Sequence, residues 1–258
     1  MNDLVSIIMP SYNTAGFIAE SIRSVQDQTC ENWELIIVDD CSTDNTDDVV
    51  SEFLGDERIR YIKNEKNCGA AISRNRALRA ARGRWIAFLD SDDLWLPRKL
   101  ELQLDFMKNN GYAFTYTKYS EINEDGEYLG VTNTGPGTVG KRLMEICNFL
   151  GCLTVMYDSE VVGLVQIPNL KKRNDWAMWI MVSQKTPCHL CDEVLSLYRV
   201  RRSGSLSHAK GGKAALLKYH YDLFRKVRYY SPPASAAMAG VNAAANIMKK
   251  IIYSNRGR

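Results

Sequence analysis

Apolar and polar positions in the first ~110 residues switch repeatedly between two spacings, and the switching predicts alternating strands and helices. Val5-Ser6-Ile7-Ile8-Met9 is a short apolar run stopped by Pro10. From about Ala15 to Gln28, Phe17, Ile18, Ile22 and Val25 recur on one helical face. Trp33 to Val38 is a second apolar run, ending at Asp39-Asp40, and Ser42-Thr43-Asp44 then offers an N-cap for a helix to about Leu54. Ile59 to Ile62 reads as a third strand and Ala70 to Ala81 as a third helix. Ile86-Ala87-Phe88-Leu89 is a fourth strand, and Pro97 opens a helix with Leu100, Leu104 and Met107 as its inward stripe. This β-α rhythm predicts an α/β fold around a mostly parallel sheet.

The later pattern is less regular. Tyr112 to Ile122 and Tyr128 to Thr132 predict a hairpin about Glu124-Asp125-Gly126. Thr134 to Gly140 reads as a loop, Cys152 to Tyr157 and His189 to Val200 as strands, and Trp176 to Ser183 as a helix. Residues 201–212 are polar and rich in Gly and Ser, which predicts a mobile connector. Two helices, 213–230 and 234–253, close the chain on either side of Pro232-Pro233.

Chemistry gathers where strands end. Pro10-Ser11-Tyr12-Asn13 follows the first, Asp39-Asp40 the second, and Asp90-Ser91-Asp92-Asp93 the fourth. Such ends share a crevice in open α/β sheets. Crowded carboxylates there suit a hard cation, Mg²⁺ or Mn²⁺, which in turn suits a diphosphate. Aspartates also favour loops after strands for turn reasons alone, and Asp39-Asp40 by itself fits both accounts. The set of three points to a metal-assisted enzyme acting on a nucleotide-linked substrate.

Composition bounds this picture. A 258-residue chain with 45% hydrophobic and 24% charged residues is an ordinary globular protein. The start lacks the basic flank and apolar core of a signal peptide, and no apolar run approaches the ~20 residues of a membrane span. Seven scattered cysteines fit a reducing cytoplasm; Cys188 and Cys191 form a lone CxxC with no second pair. The net charge of +3 conceals a division. Residues 1–208 hold 23 Lys and Arg against 29 Asp and Glu, net −6, whereas residues 209–258 hold 10 against one, net +9. A basic helical extension on an acidic body suggests an anionic surface, membrane rather than nucleic acid.

Four ordered stretches, Val5 to Asn13, Ile36 to Asp44, Asn67 to Asn75 and Asp90-Ser91-Asp92, resemble the family 2 glycosyltransferases. The resemblance implies a GT-A fold, a Rossmann-like mostly parallel central sheet flanked by helices, over 1–208. Within it, 1–110 would form the nucleotide-binding half and 111–208 the acceptor-binding half, with 209–258 a helical C-terminal extension. It implies an inverting, metal-dependent sugar transfer from a UDP-sugar to a glycan acceptor, lipid-linked, in surface polysaccharide synthesis. The protein would then be cytoplasmic and peripheral on the inner face of the cell membrane.

By the same resemblance Pro10, Tyr12 and Asp39 would hold the nucleobase, Arg74 and Asp90 would lie at the nucleotide, and Asp92 would bind the metal. Asp175 would be the general base, although Asn174 stands where the family usually has an acid. Trp176 and Trp179 would pack against the acceptor sugar. Arg201 or Arg202 would clamp the diphosphate, since arginine replaces the family's usual histidine here. Plainer readings stay open: Arg74 as a surface helix residue paired with an acid, Asp175 as an N-cap with Trp176 and Trp179 as core tryptophans, and Arg201-Arg202 as a solvated loop. So do a sugar nucleotidylyltransferase and a non-catalytic nucleotide-sugar-binding subunit.

Overall fold

The computed structural model describes residues 3–170, 172–201 and 212–256. The chain runs β1 (Val5–Ser11), α1 (Ile18–Gln26), β2 (Trp33–Asp39), α2 (Thr46–Ser51), β3 (Ile59–Lys63), α3 (Ala70–Ala80) and β4 (Trp85–Phe88). It continues through β5 (Leu94–Trp95), α4 (Lys99–Asn110), β6 (Phe114–Ile122), β7 (Tyr128–Asn133), β8 (Thr138–Val139) and α5 (Lys141–Ile146). A 3₁₀ turn, Cys152–Thr154, leads into β9 (Met156–Asp158), α6 (Ser159–Val162), α7 (Asn174–Ser183) and β10 (Cys188–Arg199). Last come α8 (Gly212–Val227), α9 (Pro232–Tyr253) and β11 (Ser254–Arg256).

The first four strands form a parallel sheet in the order β3-β2-β1-β4. From β1 the chain winds outward to β2 and β3, then crosses back to β4 on the other side. The gap at the C-terminal ends of β1 and β4 is therefore a topological switch point, where ligands of such sheets sit. Beyond β4 the sheet turns antiparallel through β9, β6 and β7.

Because strand side chains alternate, each inner strand feeds two cores. Ile8, Ile36, Val38, Ile86 and Phe88 point to the side where α3 and α7 pack, with Trp179 among them. Val5, Ile7, Met9, Leu35 and Ile37 face α1 and α4 through Ile22, Val25, Leu100 and Leu104. The apolar stripes read from sequence are these contacts.

The structure departs from the pattern in the second half. The expected strand over Cys152 to Tyr157 begins as a 3₁₀ turn, because the Leu153 carbonyl points sideways to accept Trp95 Nε1 at 2.8 Å and Ser196 Oγ at 3.3 Å. The expected loop over Thr134 to Gly140 includes β8, which pairs with β10. Cys188 and Cys191 are free, buried thiols of β10. The connector over 201–212 lies almost wholly outside the described residues. The two C-terminal helices dock on the body: Leu223 and Phe224 of α8 are fully buried, and Phe224 meets the edge of Trp176 at 5.9 Å.

Candidate functional site

The switch point opens into a cavity of about 400 Å³ lined by Pro10, Tyr12, Asp40, Gly69, Arg74, Asp90, Asp92 and Arg201, among others. Local hydrogen bonds fix its rim. After β1, Ser11 Oγ lies 2.9 Å from Thr14 Oγ1, which reaches Ser91 Oγ at 3.0 Å, so the ends of β1 and β4 are stitched together. Asn13 adopts left-handed backbone (φ 51) and accepts from the Thr43 amide at 2.8 Å, which ties in the loop after β2. Tyr12 stands at the mouth with 46% of its surface exposed.

The neighbouring acids after β2 divide their work. Asp40 accepts from Asn64 Nδ2 at 2.8 Å, from the Cys68 amide at 2.9 Å and from the Gly69 amide at 2.6 Å. It thereby shapes the turn into α3, where Gly69 sits at φ 90, a region open to glycine. Asp39 is fully buried, accepts from the Ser42 amide at 2.7 Å, and has its other oxygen buried with no hydrogen-bond partner. Burial first and the Asp39 charge second push the nearby Tyr61 hydroxyl above its ordinary pKa.

The acidic triplet after β4 is held by arginines. Arg74, buried on α3, pairs with Asp90 through Nη2 and donates through Nη1 to Asn174 Oδ1 at 2.7 Å. Arg201 donates to Asp92 at 3.2 Å, and its guanidinium lies 5.0 Å from the Phe17 ring centroid. Asp93, fully buried, accepts from the Arg199 amide at 2.8 Å and leaves its second oxygen unpartnered. Burial raises the Asp92 pKa, with the Asp90 charge next and Arg201 opposing. Asp93 is raised well above the ordinary carboxylate range by burial and then by Asp92 and Asp90. Carboxylates crowded so that protons are favoured form a site that a cation would relieve.

A second cavity, of about 380 Å³, adjoins the first and shares Arg74, Asp90, Asp93 and Tyr198 with it. Asp175 lines it from the first turn of α7, 3.5 Å from Asn148 Nδ2. The expectations for Trp176 and Trp179 are corrected here. Both rings are buried (1% and 0% exposed) and neither lines either cavity. Trp176 Nε1 donates to the Met144 carbonyl at 2.7 Å, and Trp179 packs edge-on against Phe88 at 5.1 Å. They follow Asp175 along α7 but turn toward the core. Arg202 lies outside the described residues.

Sequence reasoning passed over Arg199. Its side chain is fully buried, donating to Glu20 at 2.6 Å, the Asp92 carbonyl at 2.9 Å and the Glu124 carbonyl at 2.8 Å. It joins α1, the acidic triplet and the β6–β7 turn. A charged residue in period-two step with the buried Leu195 and Leu197 was the available signal.

Strand ends meeting at a switch point, with acids gathered between them, define an α/β enzyme whose chemistry sits at the C-terminal rim of its sheet. The profile of Glycosyl transferase family 2 matches residues 6–158, and the chain belongs to that family and is a glycosyltransferase. It is 42% identical over 219 residues to the Bacillus subtilis (strain 168) glycosyltransferase TuaG, named for teichuronic acid biosynthesis, covering 84% of this chain and 87% of that one. It is 41% identical over 207 residues, 80% of each chain, to the Escherichia coli UDP-Glc:alpha-D-GlcNAc-diphosphoundecaprenol beta-1,3-glucosyltransferase WfgD. Among solved structures, S. aureus TarS 1-349 in complex with UDP-GlcNAc aligns with a TM-score of 0.73 at 18% identity, over 95% of this chain and 72% of that one. The mannosyltransferase PcManGT from Pyrobaculum calidifontis, in complex with GDP-Man and Mn²⁺, aligns with a TM-score of 0.59 at 16% identity, over 96% and 75%. The fold is GT-A.

Proposed function

We propose that this glycosyltransferase moves a sugar from a UDP-sugar to a hydroxyl of a lipid-linked glycan acceptor, with inversion, in bacterial surface polysaccharide synthesis. The carrying observation is the pair of cavities with a common wall: the acidic triplet faces one and Asp175 faces the other. A donor in the first cavity places its anomeric carbon at that wall. An acceptor hydroxyl in the second then approaches it from the side of the base. The donor and acceptor named for WfgD, the polymer named for TuaG and the UDP-GlcNAc of the TarS complex support the assignment.

Roles follow from placement. The exposed Tyr12 ring offers a stacking face beside Pro10; Asp39, fully buried and outside the cavity lining, would serve the base by holding the loop after β2 through the Ser42 amide. Arg74 fixes Asp90 and Asn174 across the common wall, so it aligns the donor side with the acceptor side. Arg201 can exchange Asp92 for phosphate oxygens. Asp175 takes the proton of the attacking hydroxyl. The thiol lining the second cavity, Cys152, is pushed well up by burial and then by Asp90, so it stays protonated and is no nucleophile. A single displacement assisted by one base inverts the anomeric centre.

Among the described residues no three His, Cys, Asp or Glu groups converge to hold a metal ion by themselves. The oxygen donors nevertheless fit a divalent cation, Mn²⁺ or Mg²⁺, of the kind held by one or two carboxylates and completed by substrate phosphates. Asp92, with Asp90 beside it, would hold it. Held there, a divalent cation would supply charge neutralisation for the departing diphosphate.

No helix among the described residues is long and apolar enough to cross a membrane. We assign the protein to the cytoplasmic side, resting peripherally on the membrane through α9. Val241, Ile247, Met248, Ile251 and Ile252 are exposed there, within the basic extension.

The test is nucleotide release from a panel of UDP-sugars with acceptor, for wild type and Asp175→Asn. The substitution keeps the side chain's shape and should lower transfer by about 10²–10⁴-fold, the usual worth of a general base. Full transfer by a folded Asp175→Asn protein would remove Asp175 from the mechanism.

A further inference from the structure

Trp176 and Trp179 are core residues, so the acceptor side of the site needs another apolar face. A pyranose presents C–H groups on one side of its ring, and amides and carboxylates leave that side uncovered. Among the described residues, the aromatic rings that line the second cavity are Tyr119 and Tyr198. Tyr198 also lines the first cavity and so belongs to the common wall, whereas Tyr119 lines the second alone.

The strand itself explains why Tyr119 is available. Side chains of β6 alternate, and Phe114 and Tyr116 are buried in the core that holds Trp179. Tyr119 is out of step with them, only partly buried, and packs into neither core. It pairs with Ser196 of β10, which makes Tyr198 its diagonal neighbour across the sheet. The two rings meet edge-on at 65°, their centroids 6.1 Å apart.

Gly151 closes on the Tyr119 ring as well. A Cβ there would come 3.1 Å from Tyr119 Cε1, 3.3 Å from its Cδ1 and 3.1 Å from Leu153 Cδ2. The backbone of Gly151 (φ −80, ψ 138) is one that any residue adopts, so only the room these side chains occupy calls for glycine. Tyr119 is therefore a seated ring, held by Tyr198 and by Gly151. Around the same cavity stand the polar groups that a sugar's hydroxyl edge requires. Asn174 has its side-chain oxygen bonded by Arg74 at 2.7 Å, so what it offers a ligand is N–H, and Asp175 beside it offers carboxylate oxygens.

An aromatic face with a few convergent polar groups is the make-up of a small-molecule site, and the negative face of the ring attracts C–H groups. Resting on the transferase reading above, we propose that Tyr119 is the platform on which the acceptor's terminal sugar stacks, with the hydroxyl edge of that sugar turned to Asn174 and Asp175.

The experiment uses the full chain saturated with UDP. Methyl α- and β-glycosides of glucose, galactose, mannose, N-acetylglucosamine and N-acetylgalactosamine are titrated in and followed by proton NMR. Wild type should bind at least one of them, and the C–H resonances of its sugar ring should move upfield, as protons above an aromatic face do. Tyr119→Leu should weaken that glycoside by about tenfold and shrink the upfield shift, with UDP affinity unchanged. Tyr119→Phe keeps the ring and should retain both. The proposal is overturned if UDP-loaded wild type binds no glycoside, or if a bound glycoside shows no upfield shift. The second result needs no variant, so poor folding of Tyr119→Leu does not shelter the idea. Equal affinity and equal shifts in wild type and Tyr119→Leu also overturn it, since Tyr198 would then be the ring in use. If UDP itself does not bind, the donor reading fails instead, and the glycosides titrated alone still decide the platform.

Discussion

His220 makes a quantitative test of how α8 is attached to the body. Its ring is fully buried, meets Trp176 edge-on at 5.6 Å, and has both nitrogens without a hydrogen-bond partner. Burial, with the Arg173 charge second, brings its pKa from 6.5 down to about 4. The unfolded chain therefore takes up the proton first as pH falls. Stability contributed by the neutral ring is intact above 6.5, is lost through the interval down to about 4, and changes no further below it. Between about pH 7.5 and about pH 5 the linkage amounts to roughly 2 kcal/mol, at 1.36 kcal/mol per unit of separation. For a chain of this size that is roughly 4–8 °C in Tm. His220→Leu removes the titrating group at similar volume. Thermal melts of both proteins across this range should show wild type losing that much more on acidification than the variant. Parallel Tm–pH profiles would refute the reasoning and place His220 in contact with water.

Asp40→Ala strands the Cys68 and Gly69 backbone amides and leaves Asn64 Nδ2 with Ser73 Oγ alone, so melts should show a loss of about 2 kcal/mol or more, and calorimetry weaker UDP binding as the turn before α3 loosens. Lys99 is fully buried with its ammonium 3.8 Å from the Trp95 ring centroid and no hydrogen-bond partner, and burial drives its pKa well below the ordinary value. Folding at neutral pH must strip its proton or bury the charge, so Lys99→Met should raise Tm at pH 7. Flotation with anionic liposomes should carry wild type at low salt, and Ile247→Glu with Ile251→Glu should abolish it; equal flotation by the double variant would place the membrane contact elsewhere.

The sequence by itself determined the β-α rhythm, the parallel half of the sheet and the acids at its rim, because each is written in short-range spacing. Apolar alternation sets which face of β1, β2 and β4 is buried, and the residue after a strand's last apolar position must emerge at its end. Pro10, Tyr12, Arg74, Asp90, Asp92 and Arg201, chosen by the family resemblance of the motifs, line one cavity, whereas Asp39, chosen the same way, is buried outside its lining. What needed the tertiary structure depends on direction and on distant partners. Trp176 and Trp179 adjoin Asp175 in sequence, yet helical geometry turns them into the core while Asp175 faces the cavity. The reach of Arg74 to Asn174, the burial of Arg199 among three separate segments, and the bond from Lys249 of α9 to the Asn148 carbonyl are contacts between residues far apart in the chain. Local spacing fixes which way a side chain leaves its own strand or helix; only packing of the whole chain decides what it meets there.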